Sequence, residues 1–235
     1  KNRKIGYTYG STSGKFMFRN KKIILFESLL EKSFLQVLEF NDMVLDVVEQ
    51  PFTIETQTTK GNKGSYTPDF LIYFKEPDLK TNNPIKPIVA EVKPSKKLIE
   101  NRIELKQKFK LAIKFCNEQE FRFKIFNENR IKSTEVDNII FLNRYKDYIP
   151  DENEVEIIKN HLLSVGHTTI EYLLTHLYVT DYQKGNALSH IWYLMYSKFL
   201  VTDLKIRLNN KTVIWLNIEE DNLGVELWHQ QKKRN

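Results

Sequence analysis

Cysteine is nearly absent: Cys116 is the only one in 235 residues. A lone thiol excludes a disulfide framework and a zinc-ribbon site, and it agrees with a reducing cytosol. Placed in a helical stretch, Cys116 reads as a small core residue. The five histidines show no metal-ligand spacing and read as structural. Long hydrophobic runs are missing too: none approaches the roughly 18–20 apolar residues of a membrane span, and no signal-peptide pattern follows Lys1. A cytoplasmic chain with no membrane partner is the expectation. Core material is ample, with 41% apolar and 12% aromatic residues, enough for one large domain or two small ones.

Charge is unevenly spread. The net charge is +6, but residues 1–149 hold 27 Lys and Arg against 19 Asp and Glu, or +8, while residues 150–235 hold 9 against 11, or −2. A polyanion such as DNA suits the first segment, although a Lys-rich surface also serves solubility.

The most informative stretch is YTPDFLIYF followed by PIVAEVKPSKK. Asp69 opens one apolar strand, and Glu91 and Lys93 end the next. Residues i and i+2 of a strand share a face, so Glu91 and Lys93 point one way while Ile88, Ala90 and Val92 enter a core. If the strands pair, Asp69 joins them. Two carboxylates beside an amine can hold one or two hard divalent cations and direct a water, which is the equipment of a metal-dependent phosphodiesterase. The letters alone are cheap, since a Pro-Asp pair arises by chance about once in 400 positions. A plain hairpin with solvated end charges would look the same; the flanking apolar runs and the long helix after them favour the site.

The pattern predicts strands at residues 16–18 and 22–25, a helix over 27–40 and a strand over 44–56 interrupted at Pro51. Further strands are expected at 66–74 and 88–93, then a helix from Ser95 to about Asn117 and a strand at 121–126. This is an α/β fold, a mixed sheet with flanking helices. In the first helix Glu31 falls between Phe34 and Leu35, nearly in register with Leu38, on the apolar face. A buried carboxylate must be compensated, by a hydrogen bond or Lys, or by a metal ion; with the downstream motif, a third acidic ligand is favoured. Glu27 complements the helix N-terminus.

The helix from Ser95 carries Lys96, Lys97, Arg102, Lys106, Lys108, Lys110 and Lys114. Its first turn suits phosphate contact; the rest reads as a solvated face. After a short segment at 135–143 and a polar linker at 147–154, helices are expected at 154–165, 168–177 and 186–200. Strands at 201–204 and 212–216 around Asn209 and Asn210 complete a winged helix-turn-helix order. In such folds the third helix often enters the major groove. Here Ile191, Trp192, Leu194, Met195 and Phe199 build core, leaving Lys184, Asn186, Ser189, His190 and Lys198 as possible readers. A segment of charge −2 suits protein docking better than DNA.

FESLLEKSFLQVLEF, VLDVVEQPFTI, YTPDFLIYF and VAEVKPSKKL together resemble, in sequence and spacing, the TnsA-type endonuclease subunit of heteromeric cut-and-paste DNA transposases. The resemblance covers residues 16–130 well and the remainder loosely. It implies a restriction-endonuclease-like catalytic domain over 1–149 of the PD-(D/E)xK nuclease superfamily, with a winged-helix domain and tail over 150–235. By position Glu31 matches the family's helix carboxylate, Asp69 its strand aspartate and Lys93 its lysine; Glu91 stands where some members carry Gln, with the adjoining backbone carbonyl as the alternative ligand, and Gln50 matches a position near the site, with a structural role at the strand bend before Pro51 as the alternative. The implied activity is cleavage of one strand, the 5′ end, at each end of a mobile element. Implied with it are Mg²⁺, or Mn²⁺ in its place, as cofactor and double-stranded transposon-end DNA, an RNase H-like transposase and an AAA+ ATPase regulator as partners. The setting would be bacterial cytoplasm and nucleoid. A freestanding restriction or repair nuclease and a non-catalytic assembly factor remain alternatives.

Overall fold

A computed structural model describes residues 12–57, 63–75 and 84–217. The chain divides into two compact units, residues 1–132 and 133–235.

The first unit opens with a hairpin of β1 (Gly14–Phe18) and β2 (Lys22–Phe26), followed by helix α1 (Leu29–Phe40) and strand β3 (Val44–Glu49). A two-stranded antiparallel ribbon, β4 (Ile54–Gln57) and β5 (Lys63–Tyr66), stands apart from the central sheet. Next come β6 (Phe70–Phe74), β7 (Ile88–Val92), α2 (Ser95–Glu100), α3 (Arg102–Glu118), β8 (Arg122–Phe126) and the short α4 (Glu128–Ile131). The central sheet has the order β3-β6-β7-β8; β7 and β8 run parallel and the other neighbours antiparallel, so the sheet is mixed. Parallel neighbours need a long crossover, which α2 and α3 provide.

Strand β7 is buried along its whole length, as a central strand covered on both faces must be. On one face Ile88, Ala90 and Val92 join Phe34, Leu35 and Leu38 of α1, with Phe16, Phe18, Ile24 and Phe26 of the hairpin. On the other, Val89 packs with Leu71 and Cys116, the last confirming the single thiol as a core residue. The expected strand at 66–74 is in fact two: Tyr66 ends β5, and pairing resumes at Phe70 beyond Pro68, whose ring removes a backbone donor. Pro51 likewise separates β3, in the sheet, from β4, in the ribbon. The helix from Ser95 divides at Asn101 into α2 and α3.

The second unit comprises α5 (Thr134–Leu142), a 3₁₀ turn (Asn143–Tyr145), α6 (Glu152–Val165), β9 (His167–Thr169), α7 (Ile170–Leu177), α8 (Asp181–Tyr196), β10 (Leu200–Val201) and β11 (Val213–Leu216). Its sheet has the order β10-β11-β9, all antiparallel. Ile158, Leu162, Ile170, Leu173, Ile191, Leu200 and Ile214 form its core. The division falls at Lys132/Ser133, not at the expected boundary near Pro150, because α5 packs against α8. Phe141 meets Trp192 edge to face at 5.1 Å. The buried Asn138 donates to the carbonyls of Leu204 (2.8 Å) and Ile206 (2.7 Å) and accepts the Leu208 N–H (3.2 Å). Division here also sharpens the charge contrast, with 25 basic against 16 acidic residues before Ser133, or +9, and 11 against 14 after, or −3.

Two expectations in this unit change. Strand β9 precedes α7, so the sheet has a third strand, and α8 begins at Asp181, where Thr180 and Gln183 form a capping box. His190 is no DNA reader: it is 6% exposed, its Nε2 accepts the Asp151 N–H at 3.0 Å, and Nδ1 is left to donate to the Asn186 carbonyl at 2.8 Å. Among the described residues no helix is long and apolar enough to cross a membrane. The tail from Glu219 to Asn235 lies outside the described residues.

Candidate active site

Asp69 reaches the site because β6 and β7 are antiparallel in the register Phe70 to Ala90 and Leu71 to Val89. Continuing it by one residue sets Asp69 across from Glu91, and alternation puts both with Lys93 on the face that carries Leu71 and Val89. The strand pairing expected from sequence is therefore present. Asp69 Oδ2 accepts the Val92 N–H at 2.7 Å, while its backbone carbonyl accepts the Gln50 N–H at 2.9 Å. Gln50 itself adopts a left-handed φ of 45°, and its Nε2 donates to Glu27 Oε1 at 3.2 Å. It ties the bend before Pro51 to both the Asp69 backbone and the start of α1.

Glu91 is only 2% exposed. Its Oε1 is bonded by the Lys93 ammonium, and its Oε2 accepts the Tyr66 hydroxyl at 2.7 Å. Burial and the adjacent Glu91 charge push the Tyr66 phenol well above its ordinary range, so it stays a donor. Lys93 is held in turn by its own N–H, which donates to the Phe126 carbonyl at 2.9 Å across the β7–β8 pair.

Glu31 lies where the helical period places it, buried on α1 beside Phe34 and Leu35. Its carboxylate is engaged locally. Ser28 caps the helix by accepting the Glu31 N–H (3.2 Å) and donates its hydroxyl to Glu31 Oε1 (2.9 Å), while the Glu27 N–H donates to Oε2 (2.7 Å). This is a capping box displaced by one residue, a hydrogen-bonded solution to the buried charge. It does not cancel the charge. Burial raises the Glu31 pKa, and the neighbouring Glu27 and Glu91 raise it further. For the half-buried Asp69, burial first and then Glu91 and Glu31 hold the pKa well above the usual carboxylate range, against the Val92 N–H and Lys93.

Glu31, Asp69, Glu91 and Lys93 thus form one electrostatic neighbourhood drawn from α1, β6 and β7. Their carboxylates are not gathered into a ligand shell: among the described residues no group of three or more His, Cys, Asp or Glu is placed to hold a metal ion. The reason lies in their hydrogen bonds, which turn Glu31 to its own helix cap and Glu91 to Tyr66 and Lys93. Sequence reasoning missed Tyr66, Ser28 and Glu27 as partners of these acids. The signal for Ser28 was in the letters, Ser followed three residues later by Glu.

Two family models match the chain, TnsA-like endonuclease N terminal over residues 41–128 and TnsA endonuclease C terminal over residues 131–204. Together they span more than half of it. The chain belongs to the TnsA-like endonucleases. The boundary between the two family domains falls beside the division of the fold at Lys132, and the N-terminal match contains Asp69, Glu91 and Lys93. Glu31 precedes that match. No curated protein matches the chain.

The basic helix past the site is less free than its composition suggests. Lys108 pairs with Glu104 at 2.6 Å and Lys96 with Glu100 at 3.8 Å. Ser95 does not cap α2 with its side chain; its N–H instead donates to Glu128 Oε2 of α4 at 2.8 Å, a bond that holds the Glu128 pKa below the carboxylate range.

Proposed function

We propose that this TnsA-like endonuclease is the metal-dependent nuclease subunit of a heteromeric transposase, hydrolysing the 5′ strand at each end of a mobile element. In this reading the first unit is a restriction-endonuclease-like domain and the second a winged helix, with helices α6, α7 and α8 and a three-stranded sheet in the order such folds use. The observation that carries the proposal is the meeting of Asp69, Glu91 and Lys93 at the ends of β6 and β7, with Glu31 close enough to raise the Asp69 pKa.

The donor set fits a hard divalent cation. The donors are carboxylate oxygens and they repel one another, and the nearby Cys116 is a buried core thiol that burial keeps protonated. Asp69 and Glu91, with Glu31, would hold Mg²⁺ or Mn²⁺; Glu31 would exchange its cap hydrogen bonds for the cation, while Glu91 would offer remaining lone pairs and keep Tyr66 and Lys93. When bound, the ion polarises phosphate oxygens and acidifies water. The chain's own contribution centres on Lys93. Its ammonium, held by Glu91, neutralises charge developing on the phosphate or orients the attacking water. Asp69, fixed through Val92 and Gln50, keeps its carboxylate at a set place on the same face.

The partners in this reading are transposon-end DNA on the basic first unit and, on the acidic second unit, other proteins of the machine, an RNase H-like transposase and an AAA+ regulator. Reconstitution with these proteins tests it: wild-type chain cuts the 5′ strands in Mg²⁺, and Lys93→Ala does not. Equal cutting by the variant would refute the site. Cutting by the chain alone, with no partner, would favour a freestanding nuclease instead.

A further inference from the structure

Glu91 is the most deeply buried acid of the site, and donors from two separate elements hold it. Lys93 lies two residues on in the same chain segment, whereas Tyr66 comes from the end of β5, in a ribbon outside the central sheet. The Tyr66 ring is 6% exposed and stands edge-on to Phe109 of α3, 6.2 Å between centroids at 71°. Its hydroxyl therefore enters from a fixed direction.

We propose that Tyr66 is a positioning residue for strand cleavage: its hydroxyl fixes the Glu91 carboxylate, and through it the Lys93 ammonium, on the face they share with Asp69. The inference rests on the nuclease reading of this site. A buried carboxylate left with one donor has a strong incentive to turn toward another, because the orphaned oxygen stays desolvated. The Lys93 ammonium, bonded to the other oxygen, turns with it. Outer partners that orient an acidic ligand commonly affect both activity and metal affinity, typically by about 10–100-fold. The hydroxyl is turned to Glu91, so its loss changes rate and metal affinity, not DNA affinity.

The test uses the full chain. Tyr66→Phe keeps the ring and its packing on Phe109, and its melting temperature is checked against wild type. With the partner proteins and a plasmid bearing the element's ends, single-turnover 5′ cleavage falls about 10–100-fold while the Kd for end DNA is unchanged. Mn²⁺ titration of the chain alone, followed by electron paramagnetic resonance, shows weakened binding. The double variant Tyr66→Phe/Glu91→Gln is no slower than Glu91→Gln, because the hydroxyl acts through that carboxylate. Wild-type cleavage by Tyr66→Phe, or losses that multiply in the double variant, would overturn the inference. Lys93→Ala separates the two levels: if it is inactive while Tyr66→Phe is normal, only the role of Tyr66 fails, and if it is active the nuclease reading fails as well.

Discussion

Glu31 and Glu91 of the first unit and the buried polar residues of the second are hidden from water to a similar degree, yet they are satisfied very differently. Asn138 and His190 are 4% and 6% exposed, and both hydrogen-bond to backbone partners. They staple helices to loops and specify a fold. Glu91, at 2%, shares its surroundings with Asp69 and Glu31, and the three charges oppose one another despite local hydrogen bonds. Such an arrangement works against the metal-free fold. On the reading proposed above, the repelling groups belong to a place shaped for chemistry, whereas the satisfied amides belong to one shaped for stability.

The comparison breaks most sharply under substitution of Lys93 or Asp69. Lys93→Ala should lower reconstituted 5′-strand cleavage by about 10²–10³-fold, the range for removing a group that stabilises developing charge, and Asp69→Ala should abolish it. Circular dichroism and partner binding should show both variants folded. Loss of folding instead would move these residues into the structural class of Asn138.

DNA affinity tests the same contrast through charge. Salt-dependent binding to end DNA should travel with residues 1–132, charge +9, and not with residues 133–235, charge −3, because counterion release follows Lys and Arg. Binding isotherms of the two pieces at several salt concentrations measure this. The cut belongs at Lys132/Ser133, since one near Pro150 would sever α5 from α8. Strongly salt-dependent binding by the second piece would restore α8 as a DNA reader.

A smaller effect is expected at Asn138. Asn138→Ala strands the Leu204 and Ile206 carbonyls and the Leu208 N–H, which should destabilise the second unit by about 1–3 kcal/mol in urea unfolding, with cleavage chemistry intact at low temperature.

Much of this was legible in the chain, and the failures have physical causes. The strand pair with Asp69, Glu91 and Lys93 could be read because period-two alternation fixes which residues share a face. The 100° helical period placed Glu31 in the core by the same logic. Its partner could be read only by attending to the cap, since Ser28 and Glu31 satisfy each other across one turn. Tyr66 was hidden because an apolar run from 66 to 74 looks continuous; only Pro68 hints that Tyr66 belongs to another ribbon. The division at Lys132/Ser133 is hidden for a related reason. A polar linker near Pro150 is the visible break, but Asn138 and Phe141 bind α5 to residues some 50 to 70 positions later. No local pattern reports that.

The central claim is that the acids are assembled for a divalent cation at the expense of metal-free stability, and thermal melting of wild type and Asp69→Asn with and without Mn²⁺ tests it most directly. The fold raises the Asp69 pKa, so it favours the protonated acid. The stability Asp69 contributes is fully present below the ordinary carboxylate range and is lost as pH climbs through its raised value. Metal-free wild type should therefore melt below Asp69→Asn at pH 7, the gap closing as pH falls. Mn²⁺ should raise the wild-type Tm and leave the variant's nearly unchanged, and Zn²⁺ should not reproduce the effect. A variant that melts lower than wild type without metal, or gains as much from Mn²⁺, would contradict the account.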